Sequence, residues 1–200
     1  MKNFLKFAWY HLKRCGTFLG LQVIITLLGF ALMLIPSDVA HIIIGVAVVI
    51  LNCFLFFLVG KSAAPNDFKY KRINAAKFGG KPPYFEACKE MKLSKAIVTA
   101  GIFYAVNLIL VLIGSYADVN AIRVIIMFEF MGIMMISSGT GFTEIISAGR
   151  PYLFPALFCP VIVLICAAYV GGYFLSMAKR NRQHREIQDE IAMFDKNKII

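Results

Sequence analysis

Charge is scarce in this chain. Only 16% of its 200 residues are Asp, Glu, Lys or Arg, while 60% are hydrophobic. Ordinary soluble domains carry about a quarter charged residues. A chain of this composition cannot hide its apolar surface inside itself, so lipid must take the excess. Acids are scarcer still, 11 against 21 bases. The net charge of +10 would suit nucleic acid if the bases formed a surface with its own fold. They stand instead in three blocks flanking apolar runs, the pattern of a membrane protein's cytoplasmic face, which points away from a nucleic-acid partner.

Motifs that carry chemistry are missing too. The five cysteines, Cys15, Cys53, Cys88, Cys159 and Cys166, form no CxxC pair and no His/Cys cluster with metal-ligand spacing. They read as buried small hydrophobes. His11, His41 and His184 are scattered over separate segments. "GSY" and "SSGTG" lack the frame of a nucleophile elbow or a phosphate loop. Neither catalytic set, metal nor cofactor is expected, and the chain leans away from an enzyme. No internal repeat supports an inverted-repeat architecture, because the polar residues of the two halves do not align.

Long apolar runs are what the sequence does have. Crossing a hydrocarbon core of about 30 Å takes about 20 apolar residues. Runs at 15–35, 39–59, 96–115, 121–142 and 152–177 meet that length. The turn Pro36-Ser37-Asp38 makes the first two an antiparallel hairpin. The last run holds Pro155 and Pro160, which either bend it or confine the span to its later part. The first run is too long for a cleaved signal's apolar stretch and reads as an uncleaved anchor. The expectation is an all-α integral membrane protein. It comprises about five transmembrane helices, short cytoplasmic interfacial helices, a basic loop at 60–95 and a charged amphipathic tail at 179–200.

Basic residues set orientation. Lys2, Lys6, Lys13 and Arg14 precede the first run, and nine Lys/Arg lie between Gly60 and Lys95. The N-terminus and the long loop are therefore expected in the cytoplasm of a bacterial plasma membrane. The tail is in conflict: five crossings put it outside, yet it opens with "KRNRQHR". A single crossing within residues 121–178 would place nineteen bases inside and two outside. Hydropathy prefers five spans, which is the reading adopted here, and charge prefers an even number. A re-entrant segment at "SSGTGFTEIISAGRP" would reconcile them.

Glu129 sits inside an otherwise apolar run. A charge at that depth costs about 2.5–3.5 kcal/mol and commonly marks an ion or proton path. Without a partner the neutral acid is favoured. On an unbroken helix Thr140 falls about 20° and Glu144 about 60° from Glu129, forming one polar stripe. Asn107 and Asn52 on neighbouring spans are its natural hydrogen-bond partners. The competing reading is structural, with Glu129 fixing one helix to its neighbours for about 0.6 kcal/mol.

Packing and anchoring features are more plentiful. Tyr152, Cys159, Cys166 and Tyr173 repeat every seven residues and share a stripe. Ala167, Ala168, Gly171 and Gly172, and the pair Gly16 and Gly20, permit close helix approach. Lys2, Lys6 and Lys13 share one side of an expected interfacial helix at 1–14, with Phe4, Phe7 and Trp9 elsewhere on the turn. A second such helix is expected at 84–95, and a short amphipathic one at 186–195 with Ile187, Ile191 and Phe194 on one face. Lys61, Lys69, Lys71, Arg72, Lys77, Lys81, Lys89, Lys92, Lys179, Arg180 and Arg182 are expected to meet anionic headgroups or a partner. The function expected is a non-enzymatic membrane subunit or scaffold that binds lipid, another membrane protein or a second copy. The alternative is a small transporter or channel using Glu129 as a proton or cation site.

Overall fold

The structure is a computed structural model that describes residues 2–77, 92–116, 120–140 and 153–197. Every element among them is helical: α1 (Lys2–Leu32), α2 (Asp38–Lys77), α3 (Leu93–Tyr116), α4 (Asn120–Glu129), α5 (Met131–Gly139) and α6 (Leu153–Asn197). Four of these, α1, α2, α3 and α6, are long and apolar enough to cross a membrane.

Local chemistry sets the first turn. α1 stops ahead of Pro36, whose ring and missing N–H prevent a helix from continuing. Ser37 then caps α2, its Oγ accepting from the Ala40 N–H at 3.3 Å while its carbonyl accepts from the His41 N–H at 3.0 Å. Asp38 in that first turn suits the positive end of the helix dipole.

Several boundaries differ from expectation. The segment expected as a fourth span, 121–142, is two helices of 10 and 9 residues, neither long enough to cross. They break at Phe130, whose φ of −111° and ψ of 49° lie outside the helical region, and no side chain caps α5 there. The first 14 residues form no separate interfacial helix. They are the start of α1, because Tyr10, His11 and Arg14 find partners inside the bundle. The loop expected from Gly60 begins later, since α2 runs unbroken to Lys77. Neither Pro155 nor Pro160 ends α6, which continues through the tail as one helix of 45 residues. The helix expected at 84–95 lies mainly outside the described residues, as do Tyr152 and Glu144.

Contacts fix how the helices run. At one end His11 of α1 meets Thr99 of α3, Arg14 meets Asp67 of α2 and Tyr169 of α6, and Tyr173 meets Asp67. So the starts of α1 and α3 lie beside the later parts of α2 and α6. The four long helices therefore alternate in direction, with α1 and α3 opposed to α2 and α6. At the far end Met131 packs on Gly29, Gly132 on Gly45, and Gly139 on the Asp38 carbonyl. α4 follows α3 from that end, and α5 finishes there. A Cβ on Gly45 would stand 2.6 Å from the Gly132 carbonyl oxygen, and one on Gly132 2.9 Å from that of Gly45. Only two glycines let these backbones come so near.

The bundle's outer surface is apolar. Large hydrophobic side chains such as Leu27, Ile43, Ile50, Ile109 and Leu164 are exposed on all four long helices. A soluble monomer rarely presents so extended an apolar surface.

Candidate functional site

The interior is layered, and the layer of most chemical interest lies where the four long helices meet. Arg14 Nη2 donates to Asp67 Oδ1 at 2.6 Å and also reaches the Ala63 carbonyl at 3.3 Å. Nη1 donates to the Tyr169 hydroxyl at 3.3 Å. The Tyr10 hydroxyl stands 2.7 Å from Asp67 Oδ2, and the Tyr173 hydroxyl donates to the same oxygen at 2.9 Å. The Arg14 guanidinium lies 4.6 Å from the Tyr10 ring centroid and Lys95 Nζ 5.5 Å from it, so the ring's negative face sees two cations. The side chains of Arg14 and Asp67 are only 16% and 5% exposed. A charge so enclosed is tolerated when paired and hydrogen-bonded, and Asp67 is both.

Helical spacing brings these groups inward. Tyr10, Arg14, Phe18 and Gln22 recur every four residues along one side of α1. His11 on the same side places Nδ1 2.7 Å from Thr99 Oγ1. Thr99 gives its one proton to the Lys95 carbonyl at 2.9 Å, so its oxygen accepts from His11. That polarity is opposite to a base activating a nucleophile. Asp67, with donors on both oxygens, is likewise a clasp rather than a general base.

One turn farther in, Phe18, Phe56 and Phe103 meet at centroid distances of 4.9, 5.2 and 5.7 Å, and Tyr169 stands 4.7 Å from Phe18. Such pairs contribute about 0.5–1.5 kcal/mol each beyond area burial. Another turn on, each helix supplies an amide: Gln22 four residues after Phe18, Asn52 four before Phe56, Asn107 four after Phe103. All three are buried, at 2%, 5% and 2% exposure. Asn52 Nδ2 donates to Gln22 Oε1 at 3.1 Å, and Asn107 Nδ2 to the Phe103 carbonyl at 2.9 Å.

Residues read as one polar stripe are thus apportioned separately. Asn52 pairs with Gln22 instead of Glu129, and Asn107 with its own helix. Thr140 is exposed and donates to the Ile136 carbonyl at 2.9 Å. The break at Phe130 removes the straight-helix register that aligned Thr140 with Glu129. Glu129 keeps one enclosed oxygen, Oε1, with no hydrogen-bond partner among the described residues. Of the basic residues, Lys61, Lys92, Lys179 and Arg182 are exposed, and Arg180 is half-buried. Lys69, Lys71, Arg72 and Lys77 lie on the later turns of α2, whereas Lys81 and Lys89 fall outside the described residues. In the seven-residue stripe, Tyr173 joins the Asp67 clasp and Cys166 Sγ donates to the Ala100 carbonyl at 3.5 Å.

Sequence reasoning missed the clasp. Arg14 counted as a surface base, and Asp67 fell in the expected loop. Their pairing joins residues 53 positions apart. The four-residue recurrence on α1 was the available signal.

The amide layer gives a prediction. Gln22→Leu strands the Asn52 amide in the interior and is expected to cost roughly 1–2 kcal/mol. Replacing both by Leu removes the polar groups together and should restore most of that loss. Thermal unfolding of the three proteins in one detergent measures it.

No family model matches this sequence, and no curated protein or solved structure matches it either.

Proposed function

We propose that this chain is a four-crossing membrane protein with both termini and the Lys-rich connection in the cytoplasm. It acts as a non-enzymatic subunit or scaffold of a plasma membrane. The observation carrying this reading is the alternating direction of the four long helices, which gathers both chain ends at the Arg14–Asp67 end. Nineteen of the 21 basic residues then belong to that end, and only Arg123 and Arg150 fall in the stretch between α3 and α6. The opposition between hydropathy and charge disappears, because α4 and α5 count as no crossing.

The basic end is built to hold something. Trp9, 68% exposed, and Lys13, Lys61 and Lys92, also exposed, suit a headgroup interface. Each base near an anionic leaflet contributes about 1 kcal/mol. α2 runs ten residues beyond Asp67, about 15 Å, and α6 runs 24 beyond Tyr173, about 36 Å. These extensions offer charged helices to a partner above the lipid. With Asp67 saturated and Thr99 accepting from His11, the clasp serves to lock the helices from which the extensions grow.

Sidedness tests the topology. A cysteine introduced as Arg185→Cys, with the native cysteines replaced, should resist an impermeant maleimide in intact cells and react after permeabilisation. One at Asp118→Cys should react in both. Reaction of the Arg185→Cys protein in intact cells would remove the four-crossing reading. The scaffold role predicts stoichiometric co-purification with another protein in mild detergent, and recovery only as a free homo-oligomer would count against it.

A further inference from the structure

α4 ends on Glu129 with two oxygens of that residue unprovided for. In a continuous helix the Ile133 N–H would donate to the Glu129 carbonyl. It donates instead to the Phe130 carbonyl at 2.9 Å, and Met134 shares that acceptor at 3.3 Å. The Glu129 carbonyl has therefore lost its helical donor. In the side chain, Oε1 is enclosed and accepts no hydrogen bond among the described residues.

The surroundings supply no positive charge. Ile126, Phe130 and Met131 are at most 2% exposed and wholly apolar. Arg123 stands six residues back on α4, about 120° around the helix, which turns it away from Glu129. Arg14 is committed to Asp67 at the opposite end of the bundle. The carboxyl end of α4 adds the negative pole of a helix dipole to the carboxylate. Such an arrangement is destabilised until a positive charge arrives.

We propose that Glu129 binds a monovalent metal cation of the sodium class through its carboxylate and the freed carbonyl end of α4. Oxygen donors select a hard cation. One carboxylate balances a single charge, whereas divalent ions usually gather several. Interrupted helices inside membranes coordinate sodium through their exposed carbonyl ends by the same logic. The site lies at the end of the bundle where Met131 packs on Gly29, opposite the basic end, so its cation enters from the non-cytoplasmic side. The inference is independent of the scaffold reading: its test reads Glu129 alone, and the sidedness test reads the tail.

A hydrophobic carbodiimide, which attacks an enclosed protonated carboxyl, is the probe. Purified full-length protein in lipid nanodiscs is treated in choline chloride, NaCl or KCl at equal ionic strength, and adducts are located by peptide mass mapping. Glu129 should be modified in choline chloride. Modification should fall about tenfold once sodium or potassium stands tenfold above its dissociation constant. Glu129→Gln, close in shape, should carry no adduct and should lose the rise in thermal stability that the metal salt gives the unsubstituted protein. Equal modification in all three salts would overturn the cation site and leave a proton only. Absence of modification in every salt would overturn it as well, because the carboxylate would then be held by a permanent partner.

Discussion

Asp67→Ala is expected to cost about 3–5 kcal/mol of stability, the largest loss from any single side chain in the molecule. The substitution leaves the Arg14 guanidinium enclosed without a counter-charge and takes the acceptor from the Tyr10 and Tyr173 hydroxyls. Those two hydroxyls come from α1 and α6, so one carboxylate on α2 ties three helices. Thermal unfolding in detergent measures the loss. The double substitution Arg14→Met with Asp67→Leu is the decisive control. It fills the space and removes both charges, and it should recover most of the lost stability. If the double variant is as unstable as Asp67→Ala, the clasp does more than neutralise a buried pair.

Two adjacent glycines of α6 should respond to alanine with opposite signs. At Gly172 a Cβ would press on the Phe57 carbonyl and come within 3.0 Å of the Lys61 backbone nitrogen. Both are atoms of α2's main chain, which no side-chain rotation can move aside. The helices must part, and overpacking of this kind costs about 1–3 kcal/mol. Gly60→Ala should behave alike, since its Cβ would meet the Tyr169 carbonyl and the Tyr173 nitrogen at 3.1 Å. At Gly171 a Cβ would meet nothing within 4 Å. Gly171→Ala should therefore gain up to about 1 kcal/mol from helix propensity. Unfolding of the three single variants, compared in one detergent, reads the difference. Parting α2 from α6 also lengthens the Tyr173–Asp67 bond, so Gly172→Ala and Asp67→Ala should be less than additive.

The feature that hydropathy reads best is length. Five apolar runs stand in the sequence, and four of them became long helices, because about 20 apolar residues without a proline stop leave few other structures. The run at 121–142 has the same composition and failed to do so. Its break at Phe130 carries no proline and no glycine at the broken position, so no local signal announces it. What holds the break is contact with other helices: Met131 on Gly29 and Gly132 on Gly45. The tail's bases did carry the information that hydropathy lacked, since charge favoured an even number of crossings.

Candidate residues divide in the same way. Asn52, Asn107 and Glu129 stand out in the sequence because a polar group in an apolar run is costly. Their partners do not stand out. Gln22, Phe103 and the vacated carbonyl of Glu129 follow from which faces meet, and faces are set by packing between elements distant in the chain.

By itself, then, the sequence determined that this protein is all-helical, that its helices are long and apolar, and that its bases flank them. Each follows from properties of contiguous residues: transfer free energy, helix geometry and the short turn at Pro36-Ser37. Only the tertiary structure decided that Arg14 belongs to Asp67, that three amides form one layer, and that residues 120–139 return to the end at which they began. Those outcomes depend on close approach between helices, which glycine pairs allow and buried charges demand, and neither requirement is written within a single apolar run.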